Sequence, residues 1–316
     1  MNAEPHRRYA TIAAFDAALR AKLMAQVSAQ RTYQDLRKEL AFDRVLARLV
    51  LAAPDSWLLK GAVALEYRLD LARATSDIDI SARVGLEEMA QALEDAAALQ
   101  LGDYFAIRIG ERTKPVADIE TFRFHIDVLY ENGRLFEHLK IDVGFADPWI
   151  GEPQELSAPA LLEFAGIPPA KVRAIPVHQH LAEKIHAYTR RYGSRASTRV
   201  KDLVDMALII EGVPIEEESL ALVLRQIFST RSTHIVPVAL PPPPVAWQQV
   251  YAQLAVFRFR KRLARHIDSW RLTSMPRSRE HATSSSERRF GRCLRSRWAG
   301  RAARLTKIST CSIRQS

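Results

Sequence analysis

No cysteine occurs before Cys293; the only other one is Cys311. The body of the chain therefore has no disulfide framework, no cysteine-ligated zinc site and no cysteine nucleophile. Long apolar runs are missing as well. No stretch reaches the roughly 20 consecutive apolar residues of a membrane-spanning helix, so no contact with a membrane is expected. The opening Met1-Asn2-Ala3-Glu4-Pro5-His6 has no basic start followed by an apolar core. No secretory signal is read there, and a cytoplasmic location is expected.

The body also lacks an excess of charge of either sign. The formal net charge is +10, but between Thr273 and Ser316 ten arginines and Lys307 face only Glu280 and Glu287, a local net of +9. Residues 1–272 carry 35 basic and 34 acidic groups, a net of +1. Bulk charge is thus no argument that the folded body binds nucleic acid. Residues 273–316 are rich in Ser, Arg and Thr and have no apolar periodicity. A disordered basic tail is expected there.

What is present is patterned. With 316 residues, 47% of them apolar, the chain can bury one large core or two smaller ones. Apolar residues recur at helical spacing over 11–50, as Ile12, Phe15, Leu19 and Leu23 and again as Leu36, Leu40, Leu46 and Leu49. Trp57-Leu58-Leu59 reads as a short buried strand, turned by Gly61 into a helix over 62–71. Ser76–Ala82 reads as the next strand and 86–99 as a helix. Thr121–Tyr130 and Leu135–Phe145 alternate on either side of Glu131-Asn132-Gly133-Arg134, and Asn-Gly between alternating runs signals a hairpin. Helical patterns follow over 176–192, 198–211, 215–230 and 247–267. The fold class read from this order is α+β: a mixed sheet with flanking helices, then a helical C-terminal domain. The boundaries expected are 1–50 for helices packing on the core, 51–150 for the core, 151–272 for the helical domain and 273–316 for the tail.

The segment Ser76-Asp77-Ile78-Asp79-Ile80 holds the chemistry. Side chains of a strand alternate, so the Asp77 and Asp79 carboxylates share a face and repel unless a cation stands between them. Mg²⁺ suits such a pair, because it takes few carboxylates and completes its shell with phosphate oxygens and water. Gly61 permits a close approach of backbone amides to phosphate at the start of the next helix. Asp142, in Leu139-Lys140-Ile141-Asp142-Val143, is the expected third carboxylate, with Asp127 as its rival. Asp77, Asp79 and Asp142 would then hold one or two Mg²⁺. In the helical half, Asp202 and Asp205 share a helix face. Lys184 is positioned to hold a triphosphate as a point charge, with Asp202 orienting it. His178, His180 and His186 have no zinc-ligand spacing and are read as surface or interface residues.

In this order the motifs resemble the AbiEii/AbiGii toxin family, nucleotidyltransferase-like proteins of type IV toxin–antitoxin and abortive-infection systems. The residues that carry the resemblance are Lys60-Gly61-Ala62-Val63-Ala64-Leu65, Arg73-Ala74-Thr75-Ser76-Asp77-Ile78-Asp79, Leu139-Lys140-Ile141-Asp142-Val143, Leu181-Ala182-Glu183-Lys184-Ile185-His186 and Arg199-Val200-Lys201-Asp202-Leu203. It spans roughly residues 30–272. It implies NTP as co-substrate and Mg²⁺ as cofactor. Lys60, Gly61, Ala62, Ser76 and Lys184 would bind the nucleotide, and Asp77, Asp79, Asp142, Lys184 and Asp202 would be catalytic. It implies a cognate antitoxin, and an RNA acceptor that in some relatives is the tRNA acceptor end. Ala62 departs from the Gly or Ser that is usual after the first glycine, so a hydroxyl contact to phosphate is lost. The expected activity is nucleotide transfer from an NTP to RNA, with tRNA as first choice, inhibiting growth. Arg108, Arg112, Lys114, Arg190, Arg191, Arg195 and Arg199 are the basic groups that would face the RNA. A small-molecule or protein acceptor, or an NTP-binding module without turnover, are the alternatives.

Overall fold

The computed structural model describes residues 7–28, 31–69, 75–114, 121–145, 147–190 and 199–237, with isolated positions up to 247. The expected last helix over 247–267, apart from Trp247, and the basic tail lie outside the described residues. The chain divides into two compact units, residues 1–176 and 177–316.

The first unit opens with α1 (Ile12–Met24) and α2 (Tyr33–Ala52). Thr11 caps α1 by accepting a hydrogen bond from the Ala14 amide. Thr32 and Asp35 form a reciprocal capping box on α2, each satisfying an amide that a helix start leaves orphaned. There follow β1 (Trp57–Lys60), α3 (Gly61–Leu69), β2 (Asp77–Ala82), α4 (Leu86–Ala98), β3 (Phe105–Thr113), β4 (Thr121–Tyr130), β5 (Leu135–Gly144), β6 (Gln154–Ser157) and β7 (Lys171–Ala174). They build one mixed seven-stranded sheet in the order β3-β4-β5-β2-β1-β7-β6. β2 lies parallel to β5 and antiparallel to β1, and β4 lies antiparallel to both β3 and β5.

β6 and β7 were not expected, and they carry the sheet unit past residue 150 to Pro176. Each is only four residues long, too short for alternation to stand out among the surrounding prolines. Tyr104–Gly110 alternates moderately in sequence, and β3 runs on from there to Thr113.

The sheet is dry on one face. Leu59, Ile78, Ile80, Phe124, Ile126, Val128, Leu139, Ile141 and Val143 are buried in one core with Phe15, Leu19, Leu40, Leu46, Met89 and Leu93 of the helices. Two arginines of α2 are fully covered there. Arg48 grips both oxygens of Asp103 at 2.7 and 2.9 Å, and Arg44 pairs with Asp43, whose other oxygen accepts from the Ala170 amide at 2.7 Å. Buried ion pairs persist only when further hydrogen bonds satisfy them, and these tie α2 to the start of β3 and to the approach to β7.

The second unit contains α5 (Val177–Thr189), α6 (Val200–Gly212) and α7 (Glu217–Arg231), close to the helical spans read from periodicity. Leu181, Ile185, Leu203, Val204, Leu220, Leu224, Ile227 and Phe228 are buried. Among the described residues, no helix is long and apolar enough to cross a membrane.

Candidate active site

Alternation sorts the side chains of the opposite sheet face. With Ile78 and Ile80 turned into the core, Asp77 and Asp79 are left half-buried on the other side of β2. Likewise β5 presents Lys140 and Asp142 there, and β4 presents Arg123, His125 and Asp127. Register then sets them in rows. Lys60, Asp79, Asp142 and Arg123 are successive partners across β1, β2, β5 and β4. Asp77, Lys140 and His125 make the next row. The three carboxylates expected from sequence thus meet on one face, although Asp142 follows Asp79 by more than sixty residues.

Their environments differ. Asp77 Oδ2 accepts from Ser76 Oγ at 3.0 Å. Asp77 Oδ1 is buried and has no hydrogen-bond partner among the described residues. An unsatisfied buried acceptor costs about 1–3 kcal/mol, more when charged, which a bound cation would offset. Asp79 lies against the turn from β1 into α3. Gly61 begins that helix directly after Lys60, with φ +66, and a Cβ built on it would stand 2.0 Å from Asp79 Oδ2. Only glycine both takes that backbone conformation freely and leaves the carboxylate its place. Ala62, next in the helix, is buried. Lys60 reaches past Gly144 to Asp147, with Nζ 2.7 Å from Oδ2.

Asp142 is the exception to expectation. Both its oxygens are held by Arg123, Nε to Oδ1 and Nη2 to Oδ2, each at 2.7 Å. Nη2 also stands 4.0 Å from Asp77 Oδ2. The hydrogen bond with Asp142, then the charges of Asp142, Asp77 and Asp79, raise the already high pKa of Arg123 against the opposing effect of burial. A strand carboxylate between apolar neighbours needs a cation, and here it is a guanidinium. Accordingly, no three His, Cys, Asp or Glu side chains among the described residues are arranged to hold a metal ion. The Asp77–Asp79 pair with its orphaned oxygen fits a hard cation that brings phosphate and water as its other ligands.

Arg123 was missed in sequence, though the signal was there. A two-residue Asn132-Gly133 loop sets Glu131 opposite Arg134, and counting back along both arms sets Arg123 opposite Asp142. The observed turn is one residue off, pairing Leu129 with Leu135, and a bulge before Val128↔Glu137 restores that register. Asp127, the rival third carboxylate, is paired with Arg108 and His138, each at 2.5 Å.

The other predicted site residues belong to the second unit. Lys184 of α5 lies between Asp202 and Asp205 of α6, at 3.0 and 3.1 Å, and Asp205 is fully buried. The spacing of three places both carboxylates on one helix face, as read. Of the expectation that these histidines are surface or interface residues, the surface alternative fails for His180 and His186, which are buried. The reason is that α5 packs on both α6 and α7; the His186 ring meets Phe228 edge-on at 4.9 Å, and its Nε2 is 2.8 Å from Thr233 Oγ1. Of the seven basic residues expected to face RNA, Arg108 is paired with Asp127 and Arg112 with Glu87 of α4 at 3.1 Å. Arg191 and Arg195 lie outside the described residues.

Residues 44–299 match the model of the AbiEii nucleotidyl transferase toxin family of type IV toxin–antitoxin systems. The match runs into the segment read as a basic tail. Among solved structures, the chain is similar to the nucleotidyltransferase toxin MenT4 of Mycobacterium tuberculosis H37Rv. The identity is 17% over 76% of this chain and 88% of that one, with a TM-score of 0.51, a likeness of fold. JHP933 of Helicobacter pylori matches at 16% identity over 74% of this chain and 97% of that one, with a TM-score of 0.40. No curated protein sequence matches significantly.

Proposed function

The chain belongs to the AbiEii family of nucleotidyl transferase toxins, and from that premise we propose that it transfers a nucleotide from an NTP to RNA, with tRNA as the acceptor, in a Mg²⁺-dependent reaction that arrests growth in the cytoplasm. Membership of a type IV toxin–antitoxin family implies a nucleotidyltransferase enzyme and a cognate antitoxin.

The observation that carries the site is the Asp77–Asp79 pair, with one oxygen buried and unsatisfied beside a glycine turn. Asp77 and Asp79 would hold the ion. Bound there, Mg²⁺ would neutralise phosphate charge and polarise the attacking hydroxyl for in-line displacement. Gly61 and Ala62 bring the α3 backbone amides toward the phosphates, while Ser76 fixes one oxygen of Asp77. For Lys184 and Asp202 the assignment rests on the family motif and on geometry internal to the second unit, where two carboxylates fix the ammonium. An RNA acceptor is favoured by Lys140, which stands in the same row as Asp77 on the half-open sheet face and adds positive charge where a phosphate backbone would pass.

The test is incubation of the purified protein with total tRNA, Mg²⁺ and each labelled NTP in turn, with Asp77→Ala in parallel. Label on tRNA that vanishes in the variant is the expected result. Transfer to a protein or small molecule alone would replace the acceptor. Full activity of Asp77→Ala would overturn the site.

A further inference from the structure

We propose that Arg123 is a resident cation of this site: it permanently fills the place beside Asp142 that a second metal ion would need, so that the enzyme works with one divalent ion, on Asp77 and Asp79. The proposal rests on the site reading given above and deepens it.

Three observations lead there. The fork of Arg123 engages both oxygens of Asp142, at 2.7 Å each, so a guanidinium already stands against that carboxylate on the side facing Asp77. The same Nη2 stands 4.0 Å from Asp77 Oδ2 and thus lies between the two carboxylates. Paired metal ions sit about 3.5–4 Å apart, and a guanidinium in that gap excludes the second. Finally, the fork is set by backbone register, since Arg123 and Asp142 are direct partners in the β4–β5 ladder. A bidentate pair on neighbouring strands is geometrically specified, and arginine never gives up its proton.

Arg123 Nη1 makes no hydrogen bond among the described residues, so its donors are available to a phosphate oxygen. Arg123 then does with a fixed side chain what a second ion does by coordination.

The experiment counts ions. Mn²⁺ is titrated into the full chain in the presence of a non-hydrolysable NTP analogue, and bound ion is read from the loss of the free-Mn²⁺ electron paramagnetic resonance signal. One ion per complex is expected in the wild type and in Asp142→Asn. Arg123→Gln releases Asp142 and should bind two, and Arg123→Gln with Asp142→Asn should return to one. Two ions in the wild type falling to one in Asp142→Asn would overturn the proposal, as would a count of one in a folded Arg123→Gln. Should Arg123→Gln fail to fold, the wild type and Asp142→Asn decide alone: one and one sustains the proposal, two and one overturns it. Asp77→Asn tests the underlying reading separately. Its Mn²⁺ affinity should fall at least about ten-fold, and an unchanged affinity would refute the site assignment itself.

Discussion

Replacing Gly61 by alanine imposes two separable penalties. The residue has φ +66, a conformation costing an L-residue about 1–2 kcal/mol. The added methyl would also stand 2.0 Å from Asp79 Oδ2, where real contacts are essentially never under 3.0 Å. The carboxylate must therefore retreat by about 1 Å, a misplacement that costs roughly a hundred-fold in rate. Gly133, in the β4–β5 turn, isolates the first penalty: its φ is +84 and nothing lies within 4 Å of its would-be Cβ. For a unit of 176 residues, 1–2 kcal/mol lowers Tm by about 2–8 °C. Gly133→Ala should show that loss with near-normal transfer. Gly61→Ala should lose at least as much Tm and about two orders of magnitude in kcat/KM. Thermal unfolding and initial rates with labelled NTP read both. Equal activity in the two variants would refute the claim that Gly61 is there to make room for Asp79.

Other expectations can be checked alongside. Asp77→Asn should abolish transfer without lowering Tm, because it removes a charge whose buried Oδ1 has no partner among the described residues; a marked drop in Tm would make Asp77 structural. Lys184→Ala removes the ammonium from between Asp202 and the fully buried Asp205 and should cost about 3–5 kcal/mol by urea unfolding; a loss under about 1 kcal/mol would mean that the pair is solvent-screened. At Asp16, burial pushes the carboxyl up, but hydrogen bonds from Tyr130 and Arg134 outweigh it and hold the pKa below the usual value. A depressed folded-state value stabilises above the unfolded pKa of about 4 and is lost as pH falls below it. Asp16→Asn should therefore flatten the acid limb of the stability–pH curve below about pH 4, and an unchanged limb would refute the assignment.

Legibility from sequence followed the range of the interaction. Local signals read well: the apolar periodicity of α1 and α2, the alternation of β2, β4 and β5, and the Asn132-Gly133 turn all correspond to observed elements. Asp77 and Asp79 are two apart on one strand, so their shared face needs no tertiary knowledge. Adjacency of β2 and β5 does. Nothing near Asp79 announces Asp142 as its neighbour; Asp142 is singled out in sequence by its apolar strand flanks, and only the sheet shows the row that joins the two. Arg123 lay within reach of hairpin register but was passed over, because an arginine on a half-exposed strand ordinarily faces water. The surface alternative for His180 and His186 fails for a related reason: a helix covered on two sides buries polar positions that periodicity assigns to solvent.

The parallel pairing of β2 with β5 also orders events during synthesis. β2 ends at Ala82, yet its partner on the carboxylate side is finished only at Gly144. Contacts this distant in sequence form late, after the local hairpin β4–β5 has closed. A ribosome-bound chain that has released Asp77 and Asp79 therefore carries neither Asp142 nor the guanidinium that holds it. A product truncated before β5 keeps Asp77 and Asp79 but lacks the strand that sets Asp142 beside them.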